Sequence, residues 1–264
     1  MSGLLLRLAG PLQSWGERSA FTPVRDTAPF PTRSALIGMF AAAEGIGRNE
    51  TQPDRYRDVR LTVRVDRPGV RLVDYHTAGG GFPKERTAAT SGGSHKGAAV
   101  ITRRHYLSDA VFVVAVTADD ETVERLARAL SRPHWAPYLG RRSCVPDEPF
   151  LLRRHVADPE EELRTRVPLS RPTPRATTGQ PQETGTLAVP FLLEQPPSRS
   201  SSAAHAPVDV IDMNDVPVSF APHSRSHTGR HLYHTVEQLP RSLAGPPESL
   251  MQRLIDYAHL EESA

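Results

Sequence analysis

Apolar and polar positions along this chain follow three patterns in turn. Leu4 to Leu8 is a nearly continuous apolar run broken only by Arg7, the pattern of a strand buried on both faces. Gly10-Pro11 stops it. With Thr32 or Ser34 as N-cap, Ala35, Leu36, Ile37, Met39, Phe40, Ala41 and Ala43 form an apolar helix that Gly45 or Gly47 ends. Over Val59 to Asp66, Leu61, Val63 and Val65 alternate with Arg60, Thr62 and Arg64, the period of two expected of a half-buried strand. Arg67-Pro68-Gly69 turns the chain, and Val70 to His76 is expected to return as the hairpin partner of that strand.

Val100 to Leu107 leads into Ala110 to Val116, a β-branched run that reads as a second central strand. Thr122 to Leu130 is a short amphipathic helix, with Asp119, Asp120 and Glu121 suiting its N-terminus. The element order to this point is β-α-β-β-loop-β-α. Farther on, Leu187 to Glu194 reads as a strand that Pro190 places at a sheet edge. Val216 to Phe220 and Leu232 to Val236 are further strand candidates, and Ser249 to Leu260 reads as a terminal amphipathic helix. There is no internal repeat.

Two stretches lack periodicity. Ala78 to Val100 holds six glycines and both lysines of the chain, Lys84 and Lys96, with Arg86 and His95. A structureless loop of that length exceeds the ~12–15 residues usual in compact domains and is functional or disordered. The Pro/Ser/Thr-rich segments 168–186 and 195–207 read as exposed.

Composition narrows the picture. The 264 residues suffice for one large domain or two small ones, with 38% hydrophobic residues and 25 prolines pointing to long irregular connections. The net charge of +2 carries no global field toward nucleic acid, and the arginine bias fits a GC-rich genome as well as phosphate contacts. One cysteine, Cys144, excludes an internal disulfide and fits a reducing cytosol. No segment approaches ~20 apolar residues, so a cytoplasmic protein without a membrane span is expected.

The candidate chemistry lies in loops. Gln13, Ser14 and Trp15 follow a strand end; they serve either base recognition, with Trp15 stacking and Gln13 reading edges, or a turn whose indole covers the core. Arg33 and Ser34 stand where helix amides point outward, suiting either an anion or an ordinary cap with a solvated arginine. Arg103, Arg104 and Tyr106 alternate basic and aromatic character on one strand. Gly140-Arg141-Arg142-Ser143 offers flexible amides beside two guanidinium groups, a phosphate cradle that matches no mononucleotide motif. His227, His231 and His234 lack a carboxylate or cysteine partner in sequence and read as surface histidines rather than a metal site. His76, His105, Tyr106 and Lys96 border the glycine-rich loop, where a metal-free base and acid for RNA cleavage are conceivable. Cys144 reads as a lone buried thiol.

Taken together, Leu6-Arg7-Leu8-Ala9-Gly10-Pro11-Leu12-Gln13-Ser14-Trp15-Gly16, Phe30-Pro31-Thr32-Arg33-Ser34, Thr102 to Ala110 and Leu139 to Pro146 resemble the CasD family of type I-E CRISPR Cascade complexes. Asp215 to Phe220 looks like a weaker C-terminal echo. The resemblance implies an α+β fold of the RAMP type: an RRM-like, ferredoxin-like βαββαβ core with an inserted thumb and an irregular C-terminal region. The domain would span 1–240, with the thumb at about 77–102 and Pro-rich loops at about 164–207, followed by a helical tail at 241–264. It implies a non-catalytic RNA-binding subunit of antiviral defence that holds the 5′ handle of CRISPR RNA. Its partners would be the backbone and large subunits, with target DNA met only indirectly and no membrane and no cofactor or metal. A metal-independent endoribonuclease acting on CRISPR repeat RNA is the alternative. Handle contacts would fall on Gln13, Trp15, Arg33, Ser34, Arg103, Arg104, Tyr106, Arg141, Arg142 and Ser143, with Lys84, Arg86 and Lys96 in the thumb.

Overall fold

The computed structural model describes residues 2–17, 22–50, 52–79, 83–87, 99–171, 185–197, 207–221 and 224–259. Its elements are β1 (Ser2–Ala9), β2 (Leu12–Gln13), β3 (Val24–Arg25), α1 (Arg33–Ala43), β4 (Arg60–Arg67), β5 (Val70–Ala78), β6 (Val100–Ser108), β7 (Val111–Ala118), α2 (Asp120–Ser131), β8 (Leu151–Val156), α3 (Pro159–Thr165), β9 (Thr186–Leu193), β10 (Val208–Ser219), β11 (Ser226–Pro240) and α4 (Leu250–His259). The fold is mixed α+β. Its centre is a seven-stranded sheet in the order β10-β11-β9-β4-β7-β1-β8, antiparallel throughout.

The apolar runs seen in sequence lie at the middle of this sheet. Every residue of β1 and β7 is buried. One face packs Leu4, Leu6, Leu8 and Val114 against Leu36, Ile37 and Phe40 of α1 and Val123 and Leu126 of α2. Asp119 caps α2 by accepting the Thr122 N–H at 2.9 Å. The other face packs Leu5, Val113 and Ala115 against Leu163 of α3 and Leu254 and Tyr257 of α4. The terminal helix is thereby part of the core, and the Tyr257 hydroxyl donates to Glu162 at 2.7 Å.

Four expectations change. First, β5 does not pair with β4. It leaves the large sheet and runs antiparallel to β6 from Val70↔Ser108 to Ala78↔Val100, in a second sheet where β6 also carries the two short strands β2 and β3. The vacated edge of β4 is taken by β9.

Second, the polar alternation of β4 does not face water. Thr62, Arg64 and Asp66 are buried beneath α3 and the segment after it. Arg64 donates to Asp66 at 2.7 and 3.1 Å and to the carbonyls of Leu163, Val167 and Pro168 at 2.6, 2.9 and 3.0 Å. Those five bonds use every guanidinium N–H, which is what makes a buried charge tolerable.

Third, β9 is interior, between β11 and β4. Pro190 is accommodated because the β4 ladder covers only Phe191 to Leu193. Where it stops, the Arg171 side chain bridges the strands, donating to the carbonyls of Asp66, Val65 and Ala188. Fourth, the strand candidates near 216–220 and 232–236 are parts of one long hairpin, β10–β11, interrupted by register shifts after Met213 and Pro217.

Of the thumb region at about 77–102, residues 77–79, 83–87 and 99–102 are described, with a single 3₁₀ turn at Lys84–Arg86. Lys96 and His95 lie outside the described residues, as do 172–184 and 198–206 of the Pro-rich stretch. Among the described residues no helix is long and apolar enough to cross a membrane.

Candidate nucleic-acid interface

The loop after β1 is a latch. Gln13 is fully buried; its Nε2 donates to the carbonyls of Leu8 at 3.0 Å and Ala110 at 2.8 Å, and its Oε1 accepts from Trp15 Nε1 at 3.1 Å. Trp15, 0% exposed, also gives its backbone N–H to Thr27 Oγ1 at 2.8 Å. Both side chains are therefore consumed internally, and the expectation that Gln13 reads base edges while Trp15 stacks a base is corrected. Ser14 donates to the His105 carbonyl at 2.9 Å, tying the latch to β6.

The start of α1 is also occupied from within. The Asp215 carboxylate accepts the Arg33 backbone N–H at 2.6 Å, so an internal anion fills the place proposed for a phosphate. Thr32 is the N-cap residue but makes no side-chain capping bond. Arg33 is not solvated either. Its guanidinium donates to Glu194 at 2.8 and 2.9 Å and to the carbonyls of Val59 and Tyr56 at 2.9 and 3.0 Å. Arg230 closes the network by donating to Glu194 at 2.6 Å and to Asp215 at 2.6 and 2.8 Å. Those two carboxylates hold the Arg230 guanidinium above its ordinary range despite burial. Ser34 is buried beside it. Arg33 and Ser34 are corrected from handle contacts to fold-holding residues, and the echo at Asp215 is explained by this network.

The remaining candidates gather around β6. Arg103 is exposed, Arg104 is half-buried with its Nε on Thr102 Oγ1 at 3.2 Å, and Tyr106 is buried. The guanidinium of Arg141 lies 4.7 Å from the Tyr106 ring centroid and donates to the Arg25 carbonyl at 3.2 Å. Its Nη1 is buried without a hydrogen-bond partner. Arg142 and Ser143 are exposed in the same turn. Gly140 brings this turn onto the latch: at φ +84° a Cβ here would lie 1.8 Å from the Ser14 carbonyl oxygen.

Strand geometry divides these groups, because neighbours along a strand point to opposite faces and directly opposed residues share one. Arg104 and Tyr106 lie on one face of the β5–β6 ribbon with Asp74 and Leu72, and Arg141 covers that face at Tyr106. Arg103 and His105 lie on the other with Tyr75 and Val73. Tyr75, 64% exposed and directly opposite Arg103, is an aromatic ring the sequence reading missed. Pairing β5 with β6 instead of β4 would have found it. Lys84 and Arg86 are exposed beyond the ribbon's end.

The same rule separates the groups considered for cleavage. His76 shares a face with Arg104 and Tyr106, whereas His105 is on the opposite one. His76 lies 3.4 Å from Asp74. Burial pushes the Cys144 thiol above its usual range. His231 and His234 do have carboxylate neighbours, contrary to the sequence reading: β10 brings Asp212 to 2.7 Å and Asp209 to 3.6 Å. Among the described residues no three His, Cys, Asp or Glu side chains form a metal-binding group.

This α+β architecture with its projecting basic ribbon is that of a CRISPR-associated protein. The chain belongs to the CRISPR-associated Cas5 family, whose model matches residues 3–233, as the resemblance to the CasD family implies. It is 37% identical over 182 residues to the CRISPR system Cascade subunit CasD of Escherichia coli (strain K12), covering 64% of this chain and 78% of that protein. Among solved structures it is similar to a chain of a CRISPR RNA-guided surveillance complex, at 46% identity and TM-score 0.82, covering 97% of this chain and 99% of that one. It is also similar to a crystal structure of a Cas protein, at 29% identity and TM-score 0.56, covering 93% of this chain and 100% of that one.

Proposed function

We propose that this protein is a non-catalytic RNA-binding subunit of a type I-E Cascade surveillance complex in antiviral defence, and that it holds the 5′ handle of CRISPR RNA. The observation that carries the reading is the β5–β6 ribbon. It presents Arg103 with Tyr75 on one face and Arg104 with the Arg141-covered Tyr106 on the other. The chain bearing it aligns over nearly its whole length with a chain of an RNA-guided complex. Guanidinium groups neutralise phosphates while exposed aromatic rings stack unpaired bases.

In this reading β1, α1, β4, β7, α2 and β8 form a ferredoxin-like core, supported by the strand order β4-β7-β1-β8. The β5–β6 ribbon is the base of the thumb. Exposed Val70, Leu72, Val73 and Ile101 on it suit contacts with the neighbouring backbone subunit, and a second neighbour would be the large subunit. Target DNA is met only through these partners, in the cytoplasm.

Arg103→Ala with Arg104→Ala is expected to weaken CRISPR RNA retention by the assembled complex at least tenfold while the subunit still copurifies. Unchanged retention would overturn the handle assignment. His76 and His105 lie on opposite faces of the ribbon, so that pair cannot serve one phosphate as acid and base. Repeat RNA incubated with the purified protein in chelator should stay intact; specific cuts lost in His76→Ala or His105→Ala would make it an enzyme.

A further inference from the structure

A second basic-aromatic surface lies where α1 and α2 both end. The residues after α2 fold back on the end of α1: His134 and Trp135 give their backbone N–H groups to the carbonyls of Ala43 and Ala42 at 2.9 and 3.3 Å. The His134 ring packs on Gly45 and meets Trp135 edge-on at 4.7 Å. Trp135 is 46% exposed, a large apolar ring left in water beside a helix end. Phe220 and Arg225, which flank the ends of β10 and β11, join this surface. Phe220 lies against Gly38 of α1, and the Arg225 guanidinium sits 6.0 Å from the Phe220 ring centroid.

The charges here do not cancel. Desolvation beside Phe220, and then repulsion from Arg48, push Arg225 below the ordinary guanidinium range, with Tyr138 also in reach. The charged and titratable groups acting on Arg225 are Arg48 and Tyr138, with no carboxylate among them. Glu44 is taken by Tyr56, Arg55 and Arg125, and Glu50 turns back onto the Gly47 N–H. Arg132, the C-cap of α2, is exposed at the same end. Helix C-termini attract single cations. They do not account for two repelling guanidinium groups set near an exposed indole and the half-buried rings of Phe220 and Tyr138.

We infer that Arg48, Arg225 and Trp135 form a second binding site for single-stranded nucleic acid, the arginines on its phosphates and Trp135 stacked on a base. Tyr138 continues the surface toward Arg141, Arg142 and Ser143 a few residues on, so this site extends the ribbon's track around the end of α1. The inference rests on the proposed function only in taking a single strand as the ligand.

The chain supplies its own reporter, because it has two tryptophans and Trp15 is fully buried. Titrating the full-length protein with a short oligouridine, and separately with oligothymidine, should quench the exposed Trp135 and leave Trp15 unchanged. The RNA and DNA arms tell guide from target strand as the source. Trp135→Phe should abolish the quench. Arg48→Ala with Arg225→Ala should weaken the titration about tenfold and reduce the slope of log affinity on log salt by about 1.4, two phosphates on a single strand. Arg103→Ala with Arg104→Ala should leave the Trp135 quench amplitude in place, so failure at the ribbon is distinguishable from failure here. No quench with either strand, a quench that survives Trp135→Phe, or an affinity unmoved by the Arg48 and Arg225 changes would overturn the site.

Discussion

Gln13 shows how a residue with the right chemistry for RNA can be spent on the fold. Its amide makes three internal bonds at full burial, so Gln13→Ala should cost about 1–3 kcal/mol of stability through two unpaired carbonyls and a stranded indole N–H. The folded variant should retain its RNA affinity; chemical denaturation and an oligonucleotide titration read the two effects apart. Gly140 is more demanding. A Cβ at Gly140 meets the Ser14 carbonyl and forces a positive φ on a side-chain-bearing residue, so Gly140→Ala should lower the melting temperature and detach the Arg141 turn. His227 gives a pH signature. Burial and Arg225 hold its pKa below the ordinary 6.5, outweighing the pull of Asp215. The unfolded chain therefore binds this proton first as pH falls, and the stability present above about pH 6.5 is lost on acidification through the lower folded value. His227→Gln should flatten that part of the stability profile in thermal melts between pH 7.5 and 5.5.

At the scale of elements, the legible parts were those set by local pattern. β1, β7, α1 and α2 each had an apolar period and a terminal signal within a few residues, and each formed close to its expected bounds. What the pattern could not tell was partner choice. The turn Arg67-Pro68-Gly69 promised a β4–β5 hairpin, but β9, more than a hundred residues on, holds that edge of β4 instead. The polar face of β4 was likewise illegible, because Arg64 is matched by carbonyls of residues 163, 167 and 168, and no short window contains them. Removing that arginine should be severe. Arg64→Met leaves Asp66 without its cation, holding only the Ser170 N–H, at a cost of about 3–5 kcal/mol. Replacing both by apolar residues should recover only the charge part, since the carbonyls of Leu163, Val167 and Pro168 stay unpaired. A double-mutant cycle by denaturant unfolding measures the difference.

At the scale of the whole molecule, the candidate site was half visible. Arg103, Arg104, Tyr106 and the Arg141 turn were found from residue type and do gather around β6. Arg33 and Trp15 were misplaced because a basic residue at a helix start and an aromatic in a loop look alike whether they face ligand or core. For Arg33 the deciding partners, Glu194, Asp215 and Arg230, come from β9–β11, far along the chain, whereas Trp15 is held by its near neighbours Gln13 and Thr27. Closure of the second sheet face by α3 and α4 also bears on function. Leu5, Val113 and Ala115 are wholly buried there, so the open face on which RRM domains stack bases is not available. In the proposed function RNA therefore approaches over the ribbon and the surfaces around the helix ends rather than across the sheet.

Ultraviolet crosslinking of the assembled complex with its CRISPR RNA, read by mass spectrometry of the peptide–nucleotide adducts, tests that claim most directly. The account predicts adducts between 5′-handle nucleotides and the peptides carrying Tyr75, Arg103 to Tyr106 and Arg141 to Ser143. Adducts confined to other subunits, with these peptides unmodified, would contradict it.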